Sequence, residues 1–286
     1  MSEPILVQTR DELLRHLRAL HAGGERLALV PTMGFLHEGH LSLIREGARR
    51  ADKVAVTIFV NPTQFGPNED LDRYPRDLSG DLARCGEAGA WLVYAPKDPS
   101  EVYREGFQTW VQVEKLELGL CGGKRPGHFK GVATVVCKLL ALFRPHLAFF
   151  GQKDYQQLAV VRQMARDLEI DAWTEIVGMP IVREVDGLAM SSRNAYLSQE
   201  DRQRALALKR GLDAAQAGYA AGEREAAALV AAARAELERG VDRVDYVELV
   251  DAWSLQPVER VEGPVCLLEA AFVGKTRLID NRVLEG

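Results

Sequence analysis

The chain of 286 residues is 47% hydrophobic and 27% charged, enough apolar material for one or two packed cores, which excludes an intrinsically disordered polymer. A formal net charge of −5 excludes a global basic footprint for nucleic acid, so no nucleic-acid partner is expected. The longest apolar run, residues 132–143, is interrupted by Lys138 and falls short of the ~20 residues of a membrane span, and Met1-Ser2-Glu3-Pro4 has no secretory signal pattern.

Along the chain, short apolar runs alternate with helical periods, the pattern of an α/β fold. Thr9-x-x-Glu12 reads as a capping box opening a helix through about His21. Residues 27–30, Leu-Ala-Leu-Val, form a continuous apolar run, as in a strand buried on both faces. A helix over 39–51 and a second buried strand over 54–60 complete one βαβ unit with a right-handed crossover. Helices are expected over 81–88, 132–143 and 155–168, and strands over 91–94, 147–150 and 174–177. Residues 1–182 should therefore build a doubly wound, mostly parallel, Rossmann-like sheet. Beyond a join near 182–187 the pattern changes. Two alanine-rich amphipathic stretches, 199–221 and 223–239, precede strand-like runs at 246–250, 265–271 and 276–280, so residues 183–286 are expected to form a smaller α+β domain. Cys85, Cys121, Cys137 and Cys266 are scattered with no C-x-x-C pair. That favours reduced, partly buried thiols and a cytoplasmic setting over a disulfide framework or zinc site.

The first chemical motif stands where the first βαβ strand hands over to its helix: Met33-Gly34-Phe35-Leu36-His37-Glu38-Gly39-His40. Ligands of open α/β sheets bind outside the carboxyl ends of the strands, and a helix start offers unpaired N–H groups and partial positive charge to a phosphate. Two imidazoles three residues apart can face one anion, while Gly34 permits a sharp exit from the strand and Gly39 leaves room for a ligand near the backbone. A zinc pair is the weaker alternative, since no third ligand is close in sequence. Gly151-Gln152-Lys153-Asp154 repeats the strand-to-helix logic. Lys153 can neutralise a phosphate, Asp154 can hold a ribose hydroxyl or cap the helix, and Gln157 lies one turn on, in the cleft or on a solvated face. At the end of the second βαβ strand, the neutral amides of Asn61 and Gln64 suit a hydroxylated acid or belong to an ordinary turn. Met190-Ser191-Ser192-Arg193 offers two hydroxyls and a guanidinium for the charge of a departing pyrophosphate; in isolation it would pass for a solvated turn.

His37-Glu38-Gly39-His40 resembles the H-x-G-H signature of the nucleotidylyl-transferase superfamily, and residues 190–194 resemble its K-M-S-K-S loop. Together with Asn61, Gln64, residues 151–157 and the segments 70–76, 125–129 and 183–189, the whole chain is similar to the pantoate–β-alanine ligase family. That resemblance implies an AMP-forming ligase of the coenzyme A pathway. ATP activates (R)-pantoate as pantoyl adenylate with loss of pyrophosphate, and β-alanine then displaces AMP to give pantothenate. It further implies an ATP site of residues 33–40, Gly151, Gln152, Lys153, Asp154, the backbone at Val182, Met190, Ser191, Ser192 and Arg193. His40 would stand as proton donor, with His37, Lys153, Ser191, Ser192 and Arg193 aiding catalysis. Asn61, Gln64 and Gln157 would hold pantoate or β-alanine. The smaller domain would act as a lid over ATP, and the protein would be a homodimer. Gln152 stands where the family commonly has glutamate, which puts a role for that carboxylate in doubt. Mg2+ is expected with ATP, and Asp81 is either a metal ligand or a surface-helix aspartate. The rivals are a nucleotidyltransferase that stops at adenylyl transfer, which would favour a basic acceptor pocket, and a synthetase-derived RNA-binding protein, which would carry a basic module.

Overall fold

Thr9 opens the first helix as its spacing predicts: its Oγ1 accepts the Glu12 N–H at 3.4 Å, between strand β1 (Ile5–Val7) and helix α1 (Arg10–Ala22). The computed structural model describes residues 3–67 and 69–284; Met1 and Ser2, which open the segment read above for a signal pattern, lie outside the described residues. The apolar run at 27–30 grows into β2 (Leu27–Thr32), followed by α2 (Glu38–Arg50) and β3 (Lys53–Ile58). Next come α3 (Leu78–Ala88), β4 (Leu92–Tyr94), α4 (Leu120–Lys124), α5 (His128–Phe143), β5 (Leu147–Gly151), α6 (Tyr155–Asp167) and β6 (Glu175–Met179). The six strands pair in parallel in the order β1-β4-β3-β2-β5-β6, the doubly wound sheet expected from the sequence. Leu27, Ala28, Leu29 and Val30 are all fully buried, as is Val56, because a central parallel strand has helices over both faces. Leu43 and Ile44 of α2 and Cys85 of α3 close one such layer over Ala28, Val30 and Val56.

This strand order fixes where a ligand can sit. From β2 the chain runs outward through β3 and β4, then crosses back to place β5 on the other side of β2. The reversal leaves a crevice at the carboxyl ends of β2 and β5, which is where open α/β sheets take their ligands.

The remaining elements are α7 (Gln199–Ala220), α8 (Ala226–Glu238), β7 (Arg243–Asp251), β8 (Val265–Val273) and β9 (Thr276–Leu284), the last three an antiparallel sheet in the order β7-β8-β9. Leu208, Leu212, Leu229 and Leu237 of the two helices pack on Val247, Leu249, Leu267 and Leu278. The chain divides into two compact units, one of Met1–Lys115, Arg125–Gln152 and Gln157–Pro180, the other of Leu116–Lys124, Lys153–Gln156 and Ile181–Gly286. Gln156, 4% exposed, secures the early segments of the second unit. Its Oε1 accepts the N–H groups of Cys121 and Gly122, and its Nε2 donates to the carbonyls of Leu116 and Gly119. All four cysteines are free, and no described helix is long and apolar enough to cross a membrane.

Candidate active site

The turn after β2 is shaped by backbone conformation that few residues adopt. Gly34 has φ +86° and Phe35 φ +51°, two successive left-handed residues; for the second, a non-glycine, this costs roughly 1–2 kcal/mol. Asp81 of α3 compensates. Only 1% exposed, it accepts the Phe35 N–H at 2.8 Å on Oδ2 and the Leu36 N–H at 2.7 Å on Oδ1. Arg84, one helical turn on, donates to the Leu36 carbonyl. Thr32 completes the brace, accepting the Gly34 N–H at 3.2 Å and donating to the Thr57 carbonyl at 2.7 Å. Burial pushes the Asp81 carboxyl above the usual carboxylate range, against the two amide bonds that favour its anion. The surface-helix reading of Asp81 is thus corrected, because the residue is buried. As a metal ligand it would have to release two backbone amides, and no group of three or more His, Cys, Asp or Glu side chains among the described residues is placed to hold an ion.

The brace delivers His37 to the start of α2, where it is the N-cap residue, with His40 at the third helical position. Their rings stack with centroids 4.1 Å apart, tilted by 36°. The His37 N–H donates to His40 Nδ1 at 3.3 Å, so Nδ1 of His40 holds a lone pair and neutral His40 carries its proton on Nε2. Glu38 is exposed and turned to Arg45, whose hydrogen bond lowers its pKa.

At the end of β3, Asn61 is 1% exposed and saturated. Its Nδ2 donates to Gln64 Oε1 at 3.2 Å and to the Gly131 carbonyl at 3.3 Å. Its Oδ1 accepts from Thr63 N, Thr63 Oγ1 and Tyr103 OH. With no donor to spare and an acceptor already shared three ways, Asn61 holds the turn together. The beneficiary is Gln64, whose Nε2 also donates to Met33 Sδ at 3.1 Å and so ties this turn to the one after β2. A second network holds the Gln64 backbone. His128 Nδ1 donates to its carbonyl at 2.8 Å, Arg125 Nη2 reaches the same oxygen at 3.3 Å, and Arg125 Nη1 donates to His128 Nε2 at 2.9 Å. Glu69 grips Arg125 at 2.7 and 2.5 Å; burial alone would raise its pKa, but the guanidinium wins and lowers it. Sequence reasoning noted 125–129 as a motif without a role and missed Glu69. The signal was an arginine and a histidine three apart at a helix start.

The second unit carries the other candidates. Lys153 Nζ lies 3.7 Å from the half-exposed Asp154 carboxylate. Ser191 caps a short turn, accepting the Arg193 N–H at 3.3 Å, and Ser192 beside it is 8% exposed. The Val182 carbonyl accepts the Met190 N–H at 3.0 Å, which leaves other backbone atoms for any ligand. Gln157, half-buried on α6, belongs with Gly151 and Gln152 to the first unit.

A doubly wound parallel sheet with paired imidazoles at the helix start beside its switch point defines the class of nucleotidylyl-transferase-like enzymes. Within that class the model of the family described as pantoate-beta-alanine ligase matches residues 5–283. The chain belongs to that family, and it is a ligase that condenses pantoate with β-alanine. It is 62% identical to the pantothenate synthetase of Myxococcus xanthus (strain DK1622), over 99% of this chain and 97% of the relative. It superposes on the pantothenate synthetase of Thermus thermophilus with a TM-score of 0.92 at 45% identity, covering 97% of this chain and 98% of that one. The pantoate-beta-alanine ligase of Francisella tularensis, in a structure described as complexed with beta-gamma ATP and beta-alanine, matches with a TM-score of 0.79 at 29% identity, over 98% and 97% of the two chains.

Proposed function

We propose that the condensation runs at the expense of ATP through a pantoyl adenylate. The pantoate carboxylate attacks the α-phosphorus, pyrophosphate leaves, and the amine of β-alanine then displaces AMP from the acyl carbon. The observation that carries this reading is the pairing at the switch point, where two imidazoles at a helix start lie one strand away from an uncharged, pre-set amide. The helix start and imidazoles suit phosphates. Gln64, held by Asn61 and Met33, can bind a hydroxy acid without neutralising its nucleophilic carboxylate. His40 Nε2–H is the donor for the developing charge on the phosphates, with His37 beside it. Gln157 is the second pantoate ligand.

Met33, Gly34, Phe35, Leu36, Glu38, Gly39, Gly151, Gln152 and the backbone at Val182 complete the nucleotide site in this reading, and Asp154 holds the ribose. Lys153, Ser191, Ser192 and Arg193 receive the pyrophosphate charge, brought to it by the C-terminal unit closing as a lid over bound ATP. Magnesium enters as the MgATP substrate, its shell made of phosphate and water. The protein works in the cytoplasm as a homodimer. Adenylyl transfer alone is disfavoured by the neutral Asn61–Gln64 turn, where Arg125, the cation on the Gln64 carbonyl, is already paired with Glu69.

Pantoate-dependent ATP–pyrophosphate exchange tests the reading. His40→Ala should lower it by more than ~100-fold, the scale of losing a key acid or charge stabiliser. Near-normal exchange by that variant, or a failure of AMP to accumulate with pantoate and β-alanine, would overturn it.

A further inference from the structure

Strand β9 carries two neighbouring polar residues in positions that a strand normally fills with apolar side chains. Asp280 is 3% exposed and Asn281 4%, and each spends its side chain on a different segment of the second unit. Asn281 Nδ2 donates to the Lys153 carbonyl at 2.8 Å. Asp280 takes a bidentate pair from Arg183, Nη1 to Oδ2 at 2.6 Å and Nη2 to Oδ1 at 3.0 Å. The Asn281 N–H donates to the same carboxylate at 2.8 Å, fixing its orientation.

Arg183 in turn shapes the segment that leads to Ser191. It bridges to Ala189, and its Nη1 donates to the Gly187 carbonyl at 3.1 Å. The Glu184 N–H donates to Leu188 and the Met190 N–H to Val182, so residues 182–190 form a tight hairpin, and the turn Ser192–Tyr196 that follows packs against β9. A bidentate, mostly buried ion pair has a defined geometry as well as an energy, so this one fixes where Arg183 sits relative to β9.

We propose that Asp280 and Asn281 are positioning residues, fastening Lys153 and the loop of Ser191, Ser192 and Arg193 to one strand so that the two cationic segments keep a fixed spacing. This rests on the reading of those segments as the pyrophosphate side of the site. Neither β9 residue touches substrate: Asn281 acts through the Lys153 carbonyl, and Asp280 through the Arg183 guanidinium that holds the hairpin leading to Ser191. The pantoate ligands Gln64 and Gln157 lie in the other unit and are indifferent to the device, which predicts a kinetic split: the rate of adenylation depends on β9 and the pantoate KM does not.

Two double-mutant cycles, read by single-turnover pyrophosphate release, test it. Asn281→Ala should slow release about tenfold, leave the pantoate KM unchanged and lower the melting temperature by only a few degrees. In a Lys153→Ala background the same change should cost less than twofold, because its effect runs through Lys153. Arg183→Gln should behave alike against Arg193→Ala. Asn281→Leu, which keeps the volume without the donor, is scored identically should the alanine variant fold poorly. A full tenfold loss that persists beside Lys153→Ala, a normal rate in Asn281→Ala and Asn281→Leu, or a pantoate KM that rises in step overturns the proposal. Normal release by Lys153→Ala alone would instead remove Lys153 from the phosphates, and the positioning role would fall with it.

Discussion

Asp81 offers a sharp test, because two chemistries for it predict different things. Asp81→Asn keeps the shape but leaves one carbonyl oxygen where the carboxylate has two. Either the Phe35 or the Leu36 N–H, now accepted at 2.8 and 2.7 Å, loses its partner and faces an amide NH2. An orphaned buried donor costs about 1–3 kcal/mol, and loss of charge assistance weakens the surviving bond by about 1 kcal/mol more. The sum is about 2–4 kcal/mol, released where Phe35 already holds a left-handed conformation. At about 2–4 °C per kcal/mol, thermal unfolding monitored by circular dichroism should move down by roughly 5–15 °C. A shift of about 1 Å in His37 and His40 would lower pyrophosphate exchange by about 100-fold. The exchange assay is repeated over a magnesium titration, and half-saturation should not change. An unaltered melting temperature together with a raised magnesium requirement would refute the brace and make Asp81 a metal ligand.

Glu269 of β8 is fully buried, and burial first, then the charge of Asp280, raises its pKa well above the ordinary range. A folded pKa above the unfolded one means that its stabilising contribution is complete below the unfolded value near 4.3 and is lost as pH rises through the folded value, by up to about 1.4 kcal/mol per unit between them. Glu269→Gln should therefore gain stability over the parent increasingly as pH rises above the unfolded value in urea unfolding; a gap independent of pH would count against this. Gly131 of α5 lets the helix touch the Asn61–Gln64 turn, since a Cβ there would lie 2.3 Å from the Thr63 carbonyl oxygen and 2.8 Å from Gln64 N. Gly131→Ala should cost about 1–3 kcal/mol and raise the pantoate KM well above any change for ATP, and steady-state kinetics with equal changes in both would contradict the placement of Gln64.

The elements easiest to read in the sequence were those whose physics is local. Central parallel strands are buried on both faces, so 27–30 and 147–150 stand out as unbroken apolar runs and 54–60 as one interrupted only by Thr57, and the switch point then places His37 and His40. Strand β1 escaped notice because it is three residues long, with Ile5 and Leu6 exposed at the sheet edge. Helix α4 escaped because Gly122 and Gly123 are poor helix formers; Gln156, remote in sequence, holds the helix by the N–H groups of Cys121 and Gly122. The roles of the polar residues were hardest to read. Asn61 and Gln64 look equivalent in a turn, and only the bonds with Gly131 and Tyr103, remote in sequence, single out Asn61 as the saturated amide. Asp81 sits on an amphipathic helix where period alone suggests solvent, and Asp280 and Asn281 sit where alternation gives no reason to expect buried charge.

The interleaving of the two units has a consequence for how the chain can be made and cut. Residues 116–124 and 153–156 leave the ribosome well before 181–286, yet their partners come late: Tyr155 OH donates to the Ala252 carbonyl, and Arg277 lies against Cys121. During synthesis these segments must wait for the partners that complete them. A fragment beginning at 183 would lack them altogether, so the C-terminal unit is not a transplantable module. Shuffling it between relatives would require exchanging three stretches of gene at once.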